Sequence, residues 1–203
     1  MPCEICGAEA GGPDRCPRCG YPETGPEGAR SLKVALALLG GGESSGAADR
    51  ARHAVRKIQE AARAAPASAV PPLRLAAAYE RLAELGEPEL LVLADRALAT
   101  ALARAASDRD VHLARLALAA KRGTLPALRA EYDACRGELP IAEECIRMIA
   151  ALEQASAIAR TAEATAGPSR WHLPAAGGAA VAGLVELGLV IHRALQEEGE
   201  GYI

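Results

Sequence analysis

Residues 66–86 read PASAVPPLRLAAAYERLAELG, and the punctuation of this stretch decides the fold. Pro66, the Pro71-Pro72 pair and Gly86 are breaks, because proline lacks a backbone donor and glycine ends helices cheaply. Leu75, Ala76 and Tyr79 stand nine, ten and thirteen residues after Pro66. That spacing follows one helical face and sets a small side chain between larger ones. Small side chains sit where two helices touch, and large ones fill the gaps beside them.

The rest of the chain from Ala47 to about Gly167 reads the same way. Val55, Ile58, Ala62 and Ala65 follow the 3.6-residue period before Pro66, and further breaks fall at Gly86-Glu87-Pro88, at Gly123 and from Gly137 to Pro140. Composition agrees. Half of the 203 residues are apolar, yet there is no Phe, one Trp and four Tyr. Alanine is the commonest apolar residue, so the core must come from Leu, Val, Ile and closely approaching helices. The expectation is a mainly α protein.

A second stretch, KRGTLPALRAEYDACRGELP at residues 121–140, places small Cys135 and then Pro140 after the turn glycine Gly123. Together the two stretches resemble the helix pairs of tetratricopeptide repeats, with about three units over residues 47–160. The first unit carries about three extra residues before Gly86, and the repeat's bulky aromatics are mostly absent. The resemblance implies a scaffold that binds peptides or proteins, and its units must stack to bury their faces. A plain helical bundle is the alternative architecture.

The N-terminus is of another kind. CEICGAEAGGPDRCPRCGY, residues 3–21, holds Cys3 with Cys6 and Cys16 with Cys19 as two C-x-x-C pairs nine residues apart. Each pair offers two thiolates from one bend, and four thiolates fill a tetrahedral shell. Gly7 and Gly20 follow the pairs and let the chain curl there. A dithiol redox site would want a thioredoxin-like context that is missing. The pattern resembles short bacterial zinc ribbons of the form C-x-x-C-G … C-x-x-C-G, which implies a structural Zn2+ held by Cys3, Cys6, Cys16 and Cys19. The same cage also suits iron. The segment between the pairs has no apolar period, so the metal must supply its folding energy, on the order of 10 kcal/mol.

Charge limits the partners. The formal net charge is −3, and within residues 1–21 Arg15 and Arg18 face Glu4, Glu9 and Asp14, a local balance of −1. Four thiolates around a divalent ion add negative charge, which argues against phosphate binding by this segment. One helix is basic: ADRARHAVRKIQEAARAAP, residues 48–66, places Arg52, Arg56 and Arg63 on one face. They are the candidate residues for docking an acidic protein partner. The alternative function, a nucleic-acid- or ribosome-associated regulator, would combine the ribbon with the basic helix 50–63.

Other motifs are weak. GGGESSG at residues 40–46 is followed by Ala47 and Ala48 where a phosphate loop needs Lys and Ser or Thr, so it reads as a connection. His53, His112, His172 and His192 form no metal-binding pair. Cys135 and Cys145 read as small core residues. The C-terminal WHLPAAGGAAVAGLVELGLVIHRALQEEGEGYI, residues 171–203, is apolar but interrupted by Pro174 and Glu186, which argues against a membrane span. A terminal helix at 178–198 is expected, covering the array, filling its groove or forming a homodimer.

The expected organisation is a zinc ribbon at 1–22, a linker with a short helix near Arg30–Leu39 at 23–46, a helical-repeat domain at 47–167 and a C-terminal helix with an acidic tail at 168–203. MPCEICG has no basic, then apolar, leader, so a cytoplasmic location is expected. No catalytic constellation stands out. The expectation is a non-catalytic adaptor that binds another protein.

Overall fold

Thr24, Gly25 and Pro26 open the first helix. α1 runs Gly25–Leu39, five residues ahead of the start expected at Arg30. Pro26 in its first turn explains the difference, since its φ is preset for a helix and its missing N–H is one the helix leaves unpaired. The computed structural model describes Cys3, Cys16, residues 19–41 and residues 45–165. Those residues form seven α-helices and one short 3-10 turn at Pro88–Leu90, with no strand among the described residues. The remaining helices are α2 (Ala47–Ala64), α3 (Val70–Glu84), α4 (Leu91–Arg104), α5 (Arg109–Arg122), α6 (Leu125–Ala134) and α7 (Ala142–Thr165).

The chain divides into two compact units, Met1–Leu118 and Ala119–Ile203. In the first, α1 packs on α2, α2 on α3 and α3 on α4. Alanines make up much of the buried core. Ala29, Ala35, Ala54, Ala61 and Ala78 share one core cluster with Leu32, Ile58 and Val70. A second cluster joins Ala76 and Leu73 of α3 to Ala94, Leu98 and Ala101 of α4 and to Val111 and Leu118 of α5. Each fully buried Leu or Ile contributes about 1.5–3 kcal/mol, and alanine lets the helices approach closely enough to bury them.

The buried stripe of α2 meets the sequence expectation at Ile58 and Ala65 and departs from it at Val55 and Ala62. Ala51, Ala54, Ile58 and Ala61 are buried, whereas Val55 is only partly covered at the edge of the cluster. The smaller residues win the interface because α2 touches both α1 and α3.

Ser68 and Arg104 tie the ends of two helices together. The Ser68 hydroxyl accepts from the Val70 N–H at 3.2 Å, and Arg104 Nη1 donates to the Ser68 carbonyl at 2.8 Å. Pro71 and Pro72 thus lie in the first turn of α3, where they cost no helical hydrogen bond.

The second unit is built on α6 and α7, which pack on each other. Leu125, Leu128 and Tyr132 are buried on α6, and Ala142, Cys145, Ile146 and Ile149 on α7. Gly123, with φ +68, supplies the left-handed turn before α6. Arg129 Nη1 meets Glu153 Oε2 at 3.2 Å across the pair. Cys145 is core as expected, but Cys135 is not. It follows the last residue of α6 and its thiol turns back to the Glu131 carbonyl at 3.2 Å.

No helix among the described residues is long and apolar enough to cross a membrane. The helix expected at 178–198, His172, His192, Cys6 and Gly7 lie outside the described residues.

Candidate metal centre

Cys16 is tied through its backbone to both Gly20 and Tyr21. The Gly20 N–H donates to the Cys16 carbonyl at 2.8 Å, and the Cys16 N–H donates to the Tyr21 carbonyl at 2.8 Å. This knuckle carries the sulfurs of Cys16 and Cys19. Cys3, sixteen residues before Cys19, brings a third, with its Sγ 3.7 Å from Cys19 Sγ. The three sulfurs lie within 4.8 Å of one another.

That spacing fits a metal ion. Thiolates at about 2.3 Å from a tetrahedral ion stand about 3.8 Å apart along each edge, far beyond the about 2.05 Å of a disulfide. The donor set, three soft sulfurs, suits zinc or iron over magnesium or calcium. When bound, such an ion supplies cross-linking of chain segments and a shared positive charge for the thiolates. The fourth expected ligand, Cys6, lies outside the described residues.

The three cysteines are buried, with 8% of Cys3, 3% of Cys16 and none of Cys19 exposed. They pack into the first helical core, in the same cluster as Leu32, Ile58 and Val70. Two contacts fix the knuckle there. Buried Thr24, the residue before α1, donates its Oγ1–H to the Cys19 carbonyl at 2.8 Å. Gly20, with φ +70, lies so close to Thr24 and Val70 that a β-carbon would come within 2.9 Å of a methyl of each.

Neither contact is part of the sequence reading. Thr24-Gly25-Pro26-Glu27 has the S/T-x-x-E form of a helix N-terminus, a signal that would have found both Thr24 and the true start of α1. Its hydroxyl makes no capping bond to the helix and clamps the knuckle instead.

The basic stripe lies on α2 as its spacing implies, and Arg52, Arg56 and Arg63 are all exposed. They differ in what engages them. Arg52 Nη1 meets Asp49 Oδ1 at 3.1 Å and its Nη2 meets Glu87 Oε1 at 2.5 Å. The Glu87 hydrogen bond, followed by the carboxylate's charge, pushes the Arg52 pKa up from its already high value, so it stays charged. Arg63 Nε donates to the Gln59 carbonyl one turn back at 3.3 Å.

No protein-family model, no curated protein and no solved structure matches this chain.

Proposed function

We propose that this chain is a non-catalytic adaptor, in which helix pairs of tetratricopeptide type hold another protein and a structural zinc ion braces them through Cys3, Cys6, Cys16 and Cys19. The observation that carries this reading is the burial of three clustered cysteine sulfurs within a helical core. A shell filled by four protein thiolates keeps no position for water or substrate, so its ion supports shape. The alanine-lined packing of α1 on α2, α2 on α3 and α3 on α4 supports stacked pairs, which expose a broad surface for a partner. A reducing, cytoplasmic setting suits the thiolates.

The test uses the full chain. Elemental analysis should find one zinc per chain, and crosslinking of the chain with its captured partner should map to helix faces of residues 47–160. Turnover of a small molecule by metal-loaded protein that captures no protein partner would sink the reading.

Exposed Arg56 and Arg63 favour a second reading, a nucleic-acid-associated regulator. It predicts binding that weakens steeply with salt and is lost on Arg56→Glu with Arg63→Glu. The carboxylates on Arg52 reduce the positive field of that face.

A further inference from the structure

We infer that the metal centre is a folding clamp for the first helical unit, so that ion occupancy and the packing of α1, α2 and α3 are thermodynamically coupled. The inference rests on the reading that the cysteines hold a metal, and it assigns the ion a role that a tethered ribbon would not have.

Three features carry it. The three buried cysteines belong to the same core cluster as Leu32, Ile58 and Val70, so the knuckle and the helices share one core. Thr24 joins the carbonyl of a cysteine directly to the start of α1. Gly20 is seated against Val70, the first residue of α3, fifty positions along the chain. The segment around the cysteines has no apolar stripe with which to hold itself there. An ion held by the three sulfurs would tie Cys3 to Cys16 and Cys19, and its binding free energy would count as folding free energy.

Loss of the ion therefore releases the knuckle and uncovers Leu32, Ile58 and Val70. By reciprocity, whatever loosens those helices weakens the ion's hold. The supply of a thiophilic divalent cation then sets how much of the first unit is folded.

The experiment uses the full chain, reduced and stripped of metal. Cobalt(II) reports thiolate binding through its sulfur charge-transfer and visible bands, and far-UV circular dichroism follows helix melting with and without one equivalent of zinc. Zinc should raise the melting temperature of the helical signal. Thr24→Val, which alters no ligand, should weaken cobalt binding about fivefold or more, the equivalent of one lost hydrogen bond. Ile58→Ala, in α2, should also weaken it, whereas Ile149→Ala in the second unit should not. If Ile58→Ala fails to fold even with metal, Thr24→Val alone decides.

Cobalt bands that appear with unchanged affinity in Thr24→Val and Ile58→Ala, and helices that melt alike with and without zinc, would overturn the coupling and leave the metal site standing. Absence of any thiolate bands would overturn both.

Discussion

Arg52 in α2 and Glu87 in the turn after α3 are thirty-five residues apart and meet through Nη2 and Oε1 at 2.5 Å. The pair bridges the α2–α3 neighbours from outside, while Asp49 takes the other guanidinium nitrogen. An arginine held by two carboxylates is a poor docking group, because a partner must first compete them away. The stripe's capacity for an acidic partner then rests on Arg56 and Arg63. Arg56→Glu with Arg63→Glu should weaken capture of such a partner more than Arg52→Gln does, measured by titration at fixed salt. Because the Arg52 side chain is half exposed, Glu87→Gln should lower thermal stability far less than a core truncation, and the difference should shrink in high salt.

A pH prediction follows from Glu60. Lys57 Nζ approaches its two carboxylate oxygens at 3.1 and 2.8 Å. That hydrogen bond holds the Glu60 carboxyl below the usual glutamate range against opposing desolvation, with Lys57, Arg63 and His53 adding favourable charge. The folded pKa is depressed, so the folded chain gives up the proton more readily than the unfolded one. The stabilisation is present above the ordinary glutamate value, about 4.3, and is lost as pH falls through the lower folded value. Carboxyl NMR titration should show Glu60 ionising below the solvent-exposed glutamates and moving back up in Lys57→Met. An unmoved Glu60 would show that Lys57 is not the cause.

Gly20 should tolerate no side chain. Its φ of +70 disfavours an L-residue by about 1–2 kcal/mol, and a β-carbon would press on Thr24 and Val70 methyls at 2.9 Å. Gly20→Ala should therefore destabilise the first unit by about 2 kcal/mol or more, read by urea unfolding of metal-loaded protein. Val70→Ala removes one of the two obstructing methyls. In a double-mutant cycle the pair should cost less than the sum of its members. Strict additivity would mean that Gly20 does not rest on Val70.

Much of this architecture is legible in local sequence signals, and the remainder depends on distance. The helix breaks at Pro66, Gly86 and Gly123 announce themselves, as does the C-x-x-C spacing of Cys16 and Cys19. The α2 stripe is legible in part: Ile58 and Ala65 are buried as their period implies, but the pattern favours Val55 where the core takes in Ala51 and Ala54. Thr24 on Cys19, Gly20 on Val70 and Arg52 on Glu87 join segments whose meeting no local pattern records. The break between α4 and α5 lies between these cases. AASD, residues 105–108, has neither proline nor glycine, yet its aspartate is a helix-start signal.

That turn carries the last prediction. Asp108 accepts from the Asp110 N–H through Oδ1 at 3.0 Å, capping the first turn of α5. One turn on, fully buried His112 donates Nε2–H to the Ala106 carbonyl at 2.7 Å, closing the same loop from inside. The two contacts differ in kind, since Asp108 satisfies an exposed helix end and His112 fills buried volume as well as making a bond. Asp108→Ala should cost about 1 kcal/mol, with Asp108→Ser recovering most of it. His112→Ala should cost more, about 2–4 kcal/mol, because it adds a cavity at a fully buried position to the lost bond. Hydrogen exchange should localise the Asp108→Ala effect to the first turn of α5, whereas His112→Ala should loosen amides of α4 as well. Equal costs with equally local exchange would reduce His112 to a second cap.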